Sequence, residues 1–401
     1  MKVLHLNTLT EGGAAKALKR LHLNLLDFGV DSRVLSLYKL PEGESIANWF
    51  SLLNEEISLQ EKFIRSIKYR VRNWTDPYYE YSSPLSIFRP EETKLIEWAD
   101  VLNLHWIANF IHYPSFFSHK VVATKPVVWR TPDLFPMRGV VHYDGYINVK
   151  NQKLEKSAKE LKMNALSVHE NINVAATSSW TMREAKKSLI FSKAKSFRLI
   201  HNGLNIEKFA ESNSLNQAPK NKKQLLFVAA RLSNEKKGFL KVIQILNTIK
   251  MDGWELLVVG EGEVNYFDAQ FAIRYLGNIS SEQEMMAIYR DIDIYISAAD
   301  EEAFGQTIIE AMFCEKPVVA FGVGGILDTV MHEETGLLSE LNDIEGFKKN
   351  LILLMKNKEM RKDFGRNGRV RAEKFFSAQV QAEKYLQYYK DVLNEKADRK
   401  Q

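Results

Sequence analysis

Residues 301–325 read EEAFGQTIIEAMFCEKPVVAFGVGG, and this stretch decides the fold of the second half of the chain. Its order predicts a loop, a helix that begins after Gly305, the buried strand Pro317–Phe321 and a glycine-rich turn. A helix that begins after a glycine leaves backbone N–H groups without partners, and this end binds phosphate readily. Glu310 falls on the first or second turn of the helix, within reach of a sugar hydroxyl. The stretch therefore predicts a nucleotide-sugar site.

The same residues carry a family resemblance. Glu302 and Glu310 enclose seven residues, Phe304-Gly305 follows the first glutamate, and Pro-Val-Val-Ala and Gly-Gly lie downstream. This pattern resembles the donor-site signature of the family 4 retaining glycosyltransferases of GT-B fold. The competing interpretation is a strand–loop–helix of any doubly wound domain, with surface glutamates. The resemblance implies that Glu302 is catalytic, and it implies donor binding by residues of the loop and helix: Phe304, Gly305, Gln306, Thr307 and Glu310.

Length and composition agree with an α/β protein of two Rossmann-like domains. The 401 residues, 45% of them hydrophobic and 26% charged, suit two soluble α/β domains. The GT-B resemblance implies that these domains face a cleft and that a C-terminal helix returns to the N-terminal domain. We divide the chain into an acceptor-side domain (1–205), a donor domain (206–380) and the returning helix (381–401).

The cysteine content and the net charge narrow the class of protein further. The single cysteine, Cys314, excludes a disulfide framework and a thiolate metal cluster, and its place in an apolar helix predicts a buried side chain. No apolar run reaches the roughly 20 residues that span a bilayer, and the start predicts a strand instead of a signal peptide, so a cytoplasmic protein is expected. The net charge of +5 favours an anionic substrate or membrane surface and gives no reason to expect nucleic acid.

Residues 41–98 interrupt the strand–helix alternation, and residues 62–81 within them are candidates for a membrane contact. Residues 62–72 carry five basic side chains and no acidic one, the apolar side chains fall on one helical face, and aromatic residues follow. A basic amphipathic helix of this kind binds anionic membrane surfaces, which would place the protein at the inner face of the membrane. The alternative is a solvated helix packed against the N-terminal domain.

In the first domain, Gly12-Gly13 forms a turn between a predicted strand and a helix, without the full dinucleotide-binding pattern. The resemblance implies that this turn approaches the donor phosphates; a simple tight turn is the alternative. The strand that starts at Val101 ends at His105-Trp106, and ligands of open α/β sheets bind at such ends. His105 is therefore a candidate on the acceptor side.

Residues 130–143 resemble a segment found in a polysaccharide-assembly branch of family 4. The matching residues are Asp133, Pro136, Gly139, His142 and Tyr143. The family's histidine before the aspartate is missing, because Pro132 occupies its place. The resemblance implies that Asp133, His105 or His142 covers its role near the reacting carbon, or that activity is weakened. For each histidine a structural role remains open.

The second domain contains two basic side chains that could bind a diphosphate. Arg231 and Lys237 stand six residues apart after a predicted strand, and the family's donor site has this Arg-x5-Lys-Gly arrangement, which would hold a diphosphate. A solvated basic turn is the alternative. The resemblance places Gly260 and Asn278 beside the nucleotide. Asp291-x-Asp293 precedes a strand, so we interpret it as structural and predict no catalytic metal and no cofactor.

Together these patterns predict a retaining, metal-independent glycosyltransferase of polysaccharide assembly. It would move a sugar from a nucleotide-sugar to a glycan or lipid-linked acceptor. Two alternatives stay open: a non-catalytic nucleotide-sugar-binding subunit, which Pro132 favours, and a nucleotide-sugar epimerase, which shares the GT-B architecture. The sequence does not choose the base, the sugar or the acceptor.

Overall fold

The computed structural model describes residues 1–53, 81–210, 222–262 and 268–397. The chain divides into two units: Met1–Gly203 with Gln381–Gln401, and Leu204–Val380. The basic segment and most of the aromatic residues after it lie outside the described residues, and so does most of the polar stretch 210–223. None of the helices in the described ranges combines the length and apolar character needed to cross a membrane.

Unit 1 contains a parallel sheet. In the described part of the chain it has seven strands in the order β3-β2-β1-β4-β5-β6-β7. The strands are β1 (Lys2–Asn7), β2 (Asp31–Ser36), β3 (Trp49–Ser51), β4 (Val101–Leu104), β5 (Val127–Thr131), β6 (Ile172–Ala176) and β7 (Ser196–Leu199). Strands β4, β5 and β6 are buried along their whole length, as expected for a sheet covered on both faces.

The described helices of unit 1 connect these strands. They are α1 (Gly12–Asp27), α2 (Lys94–Trp98), α3 (Tyr113–Ser118), α4 (Gln152–Ser167) and α5 (Ser179–Lys187). One apolar face of α1 lies in the core, where Leu21 and Leu25 belong to the same cluster as Val3 and Val101 of the sheet. The predicted alternation of strands and helices is therefore confirmed in this unit.

Unit 2 repeats the plan with six strands in the described residues, in the order β10-β9-β8-β11-β12-β13, and its strand pairs are parallel. The strands are β8 (Lys223–Arg231), β9 (Trp254–Glu261), β10 (Ile273–Gly277), β11 (Ile294–Ser297), β12 (Val318–Phe321) and β13 (Gly336–Ser339). The described helices are α6 (Glu207–Ala210), α7 (Phe239–Leu246), α8 (Glu282–Asp291), α9 (Gln306–Phe313), α10 (Ile326–Thr329), α11 (Ile344–Lys356) and α12 (Lys358–Phe375). In both sheets the strand order reverses beside the first strand, between β1 and β4 and between β8 and β11.

The last helix, α13 (Ala378–Ala397), packs against the sheet of unit 1. Tyr385, Tyr388 and Tyr389 are almost fully buried there. The Tyr389 hydroxyl donates to Asn103 Oδ1 at 2.6 Å, and the Tyr388 hydroxyl donates to the carbonyl of Val174 at 3.2 Å. The C-terminal helix therefore belongs to the core of the first unit.

One predicted helix is longer than the sequence indicated. The sequence predicts a helix over Glu359–Phe364, whereas α12 continues to Phe375. Gly365 and Gly368, which normally weaken a helix, lie inside α12 because they face its neighbours. A Cβ on Gly365 would meet the Glu315 carbonyl oxygen at 2.0 Å, so only glycine allows this close approach. The predicted end of this helix at Phe364 was therefore wrong.

The two glycines of α12 provide a matched test of that packing. We expect Gly365→Ala to lower the free energy of unfolding by about 1–3 kcal/mol, because the methyl group collides with backbone. Gly368→Ala should raise it by about 0.5–1 kcal/mol, since the nearest atom to its Cβ is 3.6 Å away and alanine favours helix. Urea unfolding measures both. Equal effects of the two substitutions would contradict the assigned contact.

Candidate functional site

The candidate donor site lies where the strand order of the second sheet reverses. The loops after β8 and β11 leave the same edge of the sheet, and ligands of open α/β sheets bind at such a switch point. These loops bring Lys237 and Glu302 together, with Nζ 2.7 Å from Oε2. The Lys237 side chain is 31% exposed and that of Glu302 20%, so the pair is half-buried and screened less than a surface pair.

The Glu302 carboxylate also binds its own loop. Its Oε1 accepts hydrogen bonds from the N–H groups of Phe304 at 3.4 Å and Gly305 at 3.1 Å. Burial acts to raise the pKa of Glu302, but the Lys237 ammonium and these two donors outweigh it, so the pKa lies below its usual value. Two predicted donor-site groups, the Lys237 ammonium and the amides at 304–305, thus converge on one anionic group.

Two glycines allow this arrangement. Gly238 follows Lys237 with φ at +77°, and a Cβ there would meet the Ala298 carbonyl oxygen at 1.9 Å. Gly324 has φ at +52°, and its Cβ would meet the Glu302 carbonyl oxygen at 2.0 Å. The glycine-rich turn after β12 therefore supports the Glu302 loop from behind. Close packing explains these glycines without any ligand.

Helix α9 begins at Gln306, as the sequence predicts, with Gly305 in the left-handed conformation as its N-cap. The N–H groups of Gln306 and Thr307 lie in the first turn, where a helix offers them no internal acceptor. Glu310 is on the second turn and accepts a hydrogen bond from the Tyr289 hydroxyl at 2.9 Å. The side-chain amide of Gln306 donates to the other carboxylate oxygen at 3.4 Å.

Two buried tyrosines that sequence reasoning missed support this helix. Tyr289 holds Glu310, and the Tyr295 hydroxyl donates to Thr307 Oγ1 at 2.7 Å. Burial, with the nearby Glu310 charge, raises the pKa of both hydroxyls, so both remain protonated donors. They lie 21 and 12 residues from their partners, and no local motif marks them.

The remaining candidates of unit 2 lie near the carboxyl ends of adjacent strands. Arg231 ends β8, and its Nε is 4.0 Å from Glu261 Oε2, both side chains being more than half exposed. Gly260 is near the end of β9, and its carbonyl accepts from the Tyr275 hydroxyl at 2.7 Å. Asn278 follows β10 directly and is exposed. The structure places these three on the same edge of the sheet as Lys237 and Glu302.

The contacts of Asp293 and the burial of Cys314 explain these two residues by the fold. Asp293 Oδ2 accepts from the backbone N–H of Gln224 at 2.9 Å, which ties the start of β11 to β8. Cys314 is buried after α9, and burial raises the pKa of its thiol to about 12. The thiol is thus protonated at neutral pH and is a poor nucleophile.

In unit 1, the structure joins two of the predicted residues directly. His142 Nδ1 lies 2.6 Å from Asp133 Oδ2, and its Nε2 lies 2.8 Å from Ser82 Oγ. The imidazole stacks between Trp106 and Phe135, with ring centroids 5.8 and 5.1 Å away. Because a carboxylate only accepts, Nδ1 carries the proton that Asp133 binds, and in the neutral ring Nε2 accepts from Ser82.

Helix α4 holds the loop that carries this pair. The Glu155 carboxylate accepts from the N–H groups of Gly139, Val140 and Val141. About two turns further along the same helix, Lys162 Nζ donates to the carbonyls of Phe135 at 2.6 Å and Arg138 at 2.7 Å. Burial lowers the pKa of Lys162 well below its usual value. Sequence reasoning missed Ser82, Glu155 and Lys162, because only the folded chain brings them to this loop.

The Gly12-Gly13 turn lies at the start of α1, as the sequence predicts. Gly12 has φ at +81°, and a Cβ on either glycine would have nothing within 4 Å. Both are exposed, so packing does not require either glycine. His105 follows β4 and is buried, with its Nε2 2.9 Å from His5 Nδ1.

Comparisons with known sequences point to one family. Residues 210–371 match the family of glycosyl transferases group 1. CapM of Staphylococcus aureus, a capsular polysaccharide biosynthesis glycosyltransferase, is 30% identical over 207 residues, which cover 48% of this chain and 54% of CapM. The N-acetyl-alpha-D-glucosaminyl L-malate synthase of Bacillus anthracis is 28% identical over 149 residues, which cover 35% of this chain and 38% of the synthase. The chain thus spans about half the length of these relatives or less.

Solved structures share the fold along almost the whole chain. A sucrose-phosphate synthase from Thermosynechococcus elongatus superposes with a TM-score of 0.69 at 17% identity, over 98% of this chain and 100% of that one. HepE of Anabaena, in complex with UDP and glucose, superposes with a TM-score of 0.65 at 16% identity, over 97% and 99% of the two chains.

The fold and the switch-point loops together define a GT-B protein built from two Rossmann-like units, as the sequence predicts. More particularly, residues 210–371 of this chain match the glycosyl transferases group 1 family.

The depressed pKa of Glu302 predicts a pH-dependent stability. A carboxyl whose folded pKa lies below its unfolded value stabilises the fold above the unfolded pKa, and this contribution disappears as pH falls through the folded pKa. We expect Glu302→Gln to lower the thermal midpoint near neutral pH, and this difference from the parent protein to shrink below about pH 4.

Glu345→Gln is the matched control, because the Glu345 side chain is 81% exposed. Its effect should stay within about 0.5 kcal/mol at every pH. Thermal unfolding followed by circular dichroism across the acid range measures both variants. A Glu302→Gln difference that does not change with pH would contradict the ion-pair account.

Proposed function

We propose that this protein is a retaining glycosyltransferase that moves a sugar from a nucleotide-sugar to a glycan or lipid-linked acceptor in polysaccharide biosynthesis. The observation that carries the proposal is the Lys237–Glu302 pair with the loop amides at 304–305, at the switch point of a group 1 domain. This is where a diphosphate and a sugar would meet a cation, main-chain donors and a carboxylate at once.

The relatives support the donor class and the polysaccharide assignment. HepE was crystallised with UDP and glucose, and CapM is named for capsular polysaccharide biosynthesis. Another relative is named an N-acetyl-alpha-D-glucosaminyl L-malate synthase, so the names of the relatives do not agree on one product. The proposal therefore commits to a nucleotide-sugar donor and leaves the acceptor at the level of its class.

The proposed sugar transfer requires stabilisation of the negative charge on the leaving group. Breaking the bond between the anomeric carbon and the diphosphate leaves negative charge on the leaving group, and fixed positive groups that face this charge lower the barrier. We assign this role to Arg231, Lys237 and the first turn of α9. The Glu302 carboxylate binds Lys237 and the amides of Phe304 and Gly305, as a diphosphate would. A bound donor would compete for these groups and leave Glu302 to accept hydrogen bonds from the sugar hydroxyls.

Glu310 would bind the nucleotide ribose. Tyr289 and Gln306 fix the orientation of its carboxylate on α9 before any ligand arrives. A pre-oriented acceptor loses little rotamer entropy when it binds a hydroxyl. Retention at the anomeric carbon would follow from attack on the same face, with the departing phosphate taking the acceptor's proton.

On the acceptor side we assign the loop of Asp133 and His142. Glu155 and Lys162 hold this loop by five hydrogen bonds to its backbone, so its shape is set before binding. Asp133 Oδ1 accepts from the Phe135 N–H at 2.9 Å while Oδ2 binds His142. Asp133 thereby keeps a fixed orientation although Pro132 replaces the histidine that the family resemblance leads one to expect.

A non-catalytic nucleotide-sugar-binding subunit is the second candidate, and Pro132 is the residue that favours it. The two functions differ in one measurement. An enzyme hydrolyses a bound donor slowly without acceptor, whereas a binding subunit binds the donor tightly and releases no free sugar with any acceptor.

The first prediction about activity compares two adjacent lysines. We expect Lys237→Ala to reduce donor turnover by about 10²–10³-fold, because it removes a cation that faces the leaving group. Lys236→Ala should change turnover less than about threefold, since the Lys236 contact to the Asp300 N–H uses the backbone carbonyl and survives.

Release of nucleoside diphosphate measures this turnover. The donor is chosen beforehand by a thermal-shift screen of UDP-, GDP- and ADP-sugars; a ligand at 100 times its Kd stabilises the native state by about 2.7 kcal/mol. Equal, modest losses in the two variants would refute the assignment of Lys237.

The second prediction concerns divalent ions. Because the proposal gives charge neutralisation to Arg231, Lys237 and a helix terminus, we expect EDTA to leave turnover unchanged within about twofold. The measurement is nucleoside diphosphate release before and after chelation and dialysis. A loss of activity that Mg²⁺ or Mn²⁺ restores would overturn metal independence, without affecting the assignment of the donor site.

A further inference from the structure

Three buried histidines of unit 1 form one chain of hydrogen bonds. His105 Nε2 lies 2.9 Å from His5 Nδ1, and His5 Nε2 lies 3.1 Å from Ser32 Oγ. Ser32 Oγ lies 2.7 Å from His22 Nδ1, and His22 Nε2 lies 2.8 Å from the carbonyl oxygen of Ala47. Neither the donor site nor the Asp133 loop uses this chain.

One end of the chain fixes the direction of every bond in it. The Ala47 carbonyl only accepts, so His22 Nε2 carries a hydrogen. Burial lowers the pKa of His22, and the ring is neutral, so its Nδ1 is bare and accepts from the Ser32 hydroxyl. Ser32 has one hydrogen, now used, so its oxygen accepts from His5 Nε2.

The same reasoning determines which nitrogen of His105 carries the hydrogen. Burial, followed by the nearby His22, lowers the pKa of His5 well below its usual value, so His5 is neutral and its Nδ1 accepts from His105 Nε2. Burial also lowers the pKa of His105, with smaller contributions from His5 and Arg130. His105 is therefore neutral with a hydrogen on Nε2, and its Nδ1 is a bare acceptor.

That acceptor has no hydrogen-bond partner in the described structure, and two buried donors of unit 1 have none either. The unpartnered atoms are His105 Nδ1, Arg130 Nη1 and Tyr385 Oη. The three residues are 1%, 2% and 0% exposed, so bulk water does not satisfy these atoms. Leaving a buried polar group unpaired costs about 1–3 kcal/mol, so three such atoms together require an explanation.

Their positions bring them to one place. Leu104 of β4 pairs with Trp129 of β5, so the next residues, His105 and Arg130, follow in register on the same face of the sheet. Val101 of β4 and Val128 of β5 lie on the same face of the sheet as His105 and Arg130, and both belong to one core cluster with Tyr385. Tyr385 comes from α13, which covers this face.

We propose that His105, Arg130 and Tyr385 form a buried site for one hydroxyl group. Its oxygen accepts from Arg130 Nη1–H and from the Tyr385 hydroxyl, and its hydrogen is donated to His105 Nδ1. An anion does not fit, because the bare nitrogen presents a lone pair to it. A metal cation does not fit, because the arginine repels it.

Two molecules supply such a hydroxyl: water and a carbohydrate. A water molecule needs two to four polar partners, and three are present. The site lies at the carboxyl ends of β4 and β5, where ligands of open α/β sheets bind, so a sugar hydroxyl has the same chemistry to offer. The inference rests on the hydrogen-bond chain and stands whether or not the protein transfers sugars.

Crystals of the full chain test the site directly. They are grown in bromide in place of chloride, and a second set is soaked in UDP-glucose with free glucose. We expect oxygen density within hydrogen-bond distance of all three atoms; isolated density identifies water, and density continuous with a sugar identifies a carbohydrate hydroxyl. An anomalous bromide signal there, or no density, would overturn the proposal.

Substitutions give a readout that loss of folding does not imitate. Tyr385→Phe removes one hydrogen-bond donor and no packing volume, and it should abolish the oxygen density or reduce its occupancy at least twofold. Tyr388→Phe is the control, because its hydroxyl contacts Ser196 and Val174 instead, and it should leave that density unchanged. Density equal in both variants would contradict the assigned donor.

The tautomer is measured by nitrogen NMR on protein labelled in its histidines. We expect His105 Nδ1 to resonate as an unprotonated nitrogen and Nε2 as a protonated one. Ser32→Ala breaks the chain between His22 and His5, so the His105 signals should shift toward values averaged over the two tautomers. A protonated Nδ1 in the parent protein would disprove the direction of the chain and with it the site.

Discussion

The ion pair of Lys237 and Glu302 depends on a constraint of backbone geometry. Strands β8 and β11 are adjacent and parallel, so the loops that leave them start from one edge of the sheet. The Glu302 loop lies on the turn after β12, where Gly324 and Gly325 approach the carbonyls of Glu302 and Ala303 too closely for any side chain. The glycines thus place the carboxylate, and the carboxylate in turn orders the amides that precede α9.

Unit 1 uses buried charge for a similar purpose. Glu155 and Lys162 lie on one helix, and the carboxylate accepts from three backbone donors while the lysine amino group donates to two backbone acceptors of the same loop. A buried charge without such partners would be expensive. The loop of Asp133 therefore has a defined shape although it contains little regular secondary structure.

The sequence predicted those parts of the protein that local patterns determine. The order from Glu302 to the turn after β12, the Arg231 and Lys237 loop, and the returning helix all follow from periodicity, glycine positions or family resemblance. It did not predict Ser82, Tyr289 or Tyr295, because each acts on a residue far along the chain and no spacing rule connects them. The predicted end of this helix at Phe364 was wrong, because Gly365 and Gly368 lie against residues of other elements in the folded chain and no local pattern marks those contacts.

The position of α13 has a consequence for how the chain acquires its structure during synthesis. The ribosome completes the strands of unit 1 early, but the tyrosines that cover one face of that sheet leave it only after all of unit 2. Domains generally fold as units while the chain emerges, N-terminal first. During synthesis, one apolar face of the sheet in unit 1 therefore stays uncovered until α13 has been made. Unit 2 is synthesised in this interval and can fold before unit 1 is complete. Unit 1 completes its core only when α13 packs on the sheet.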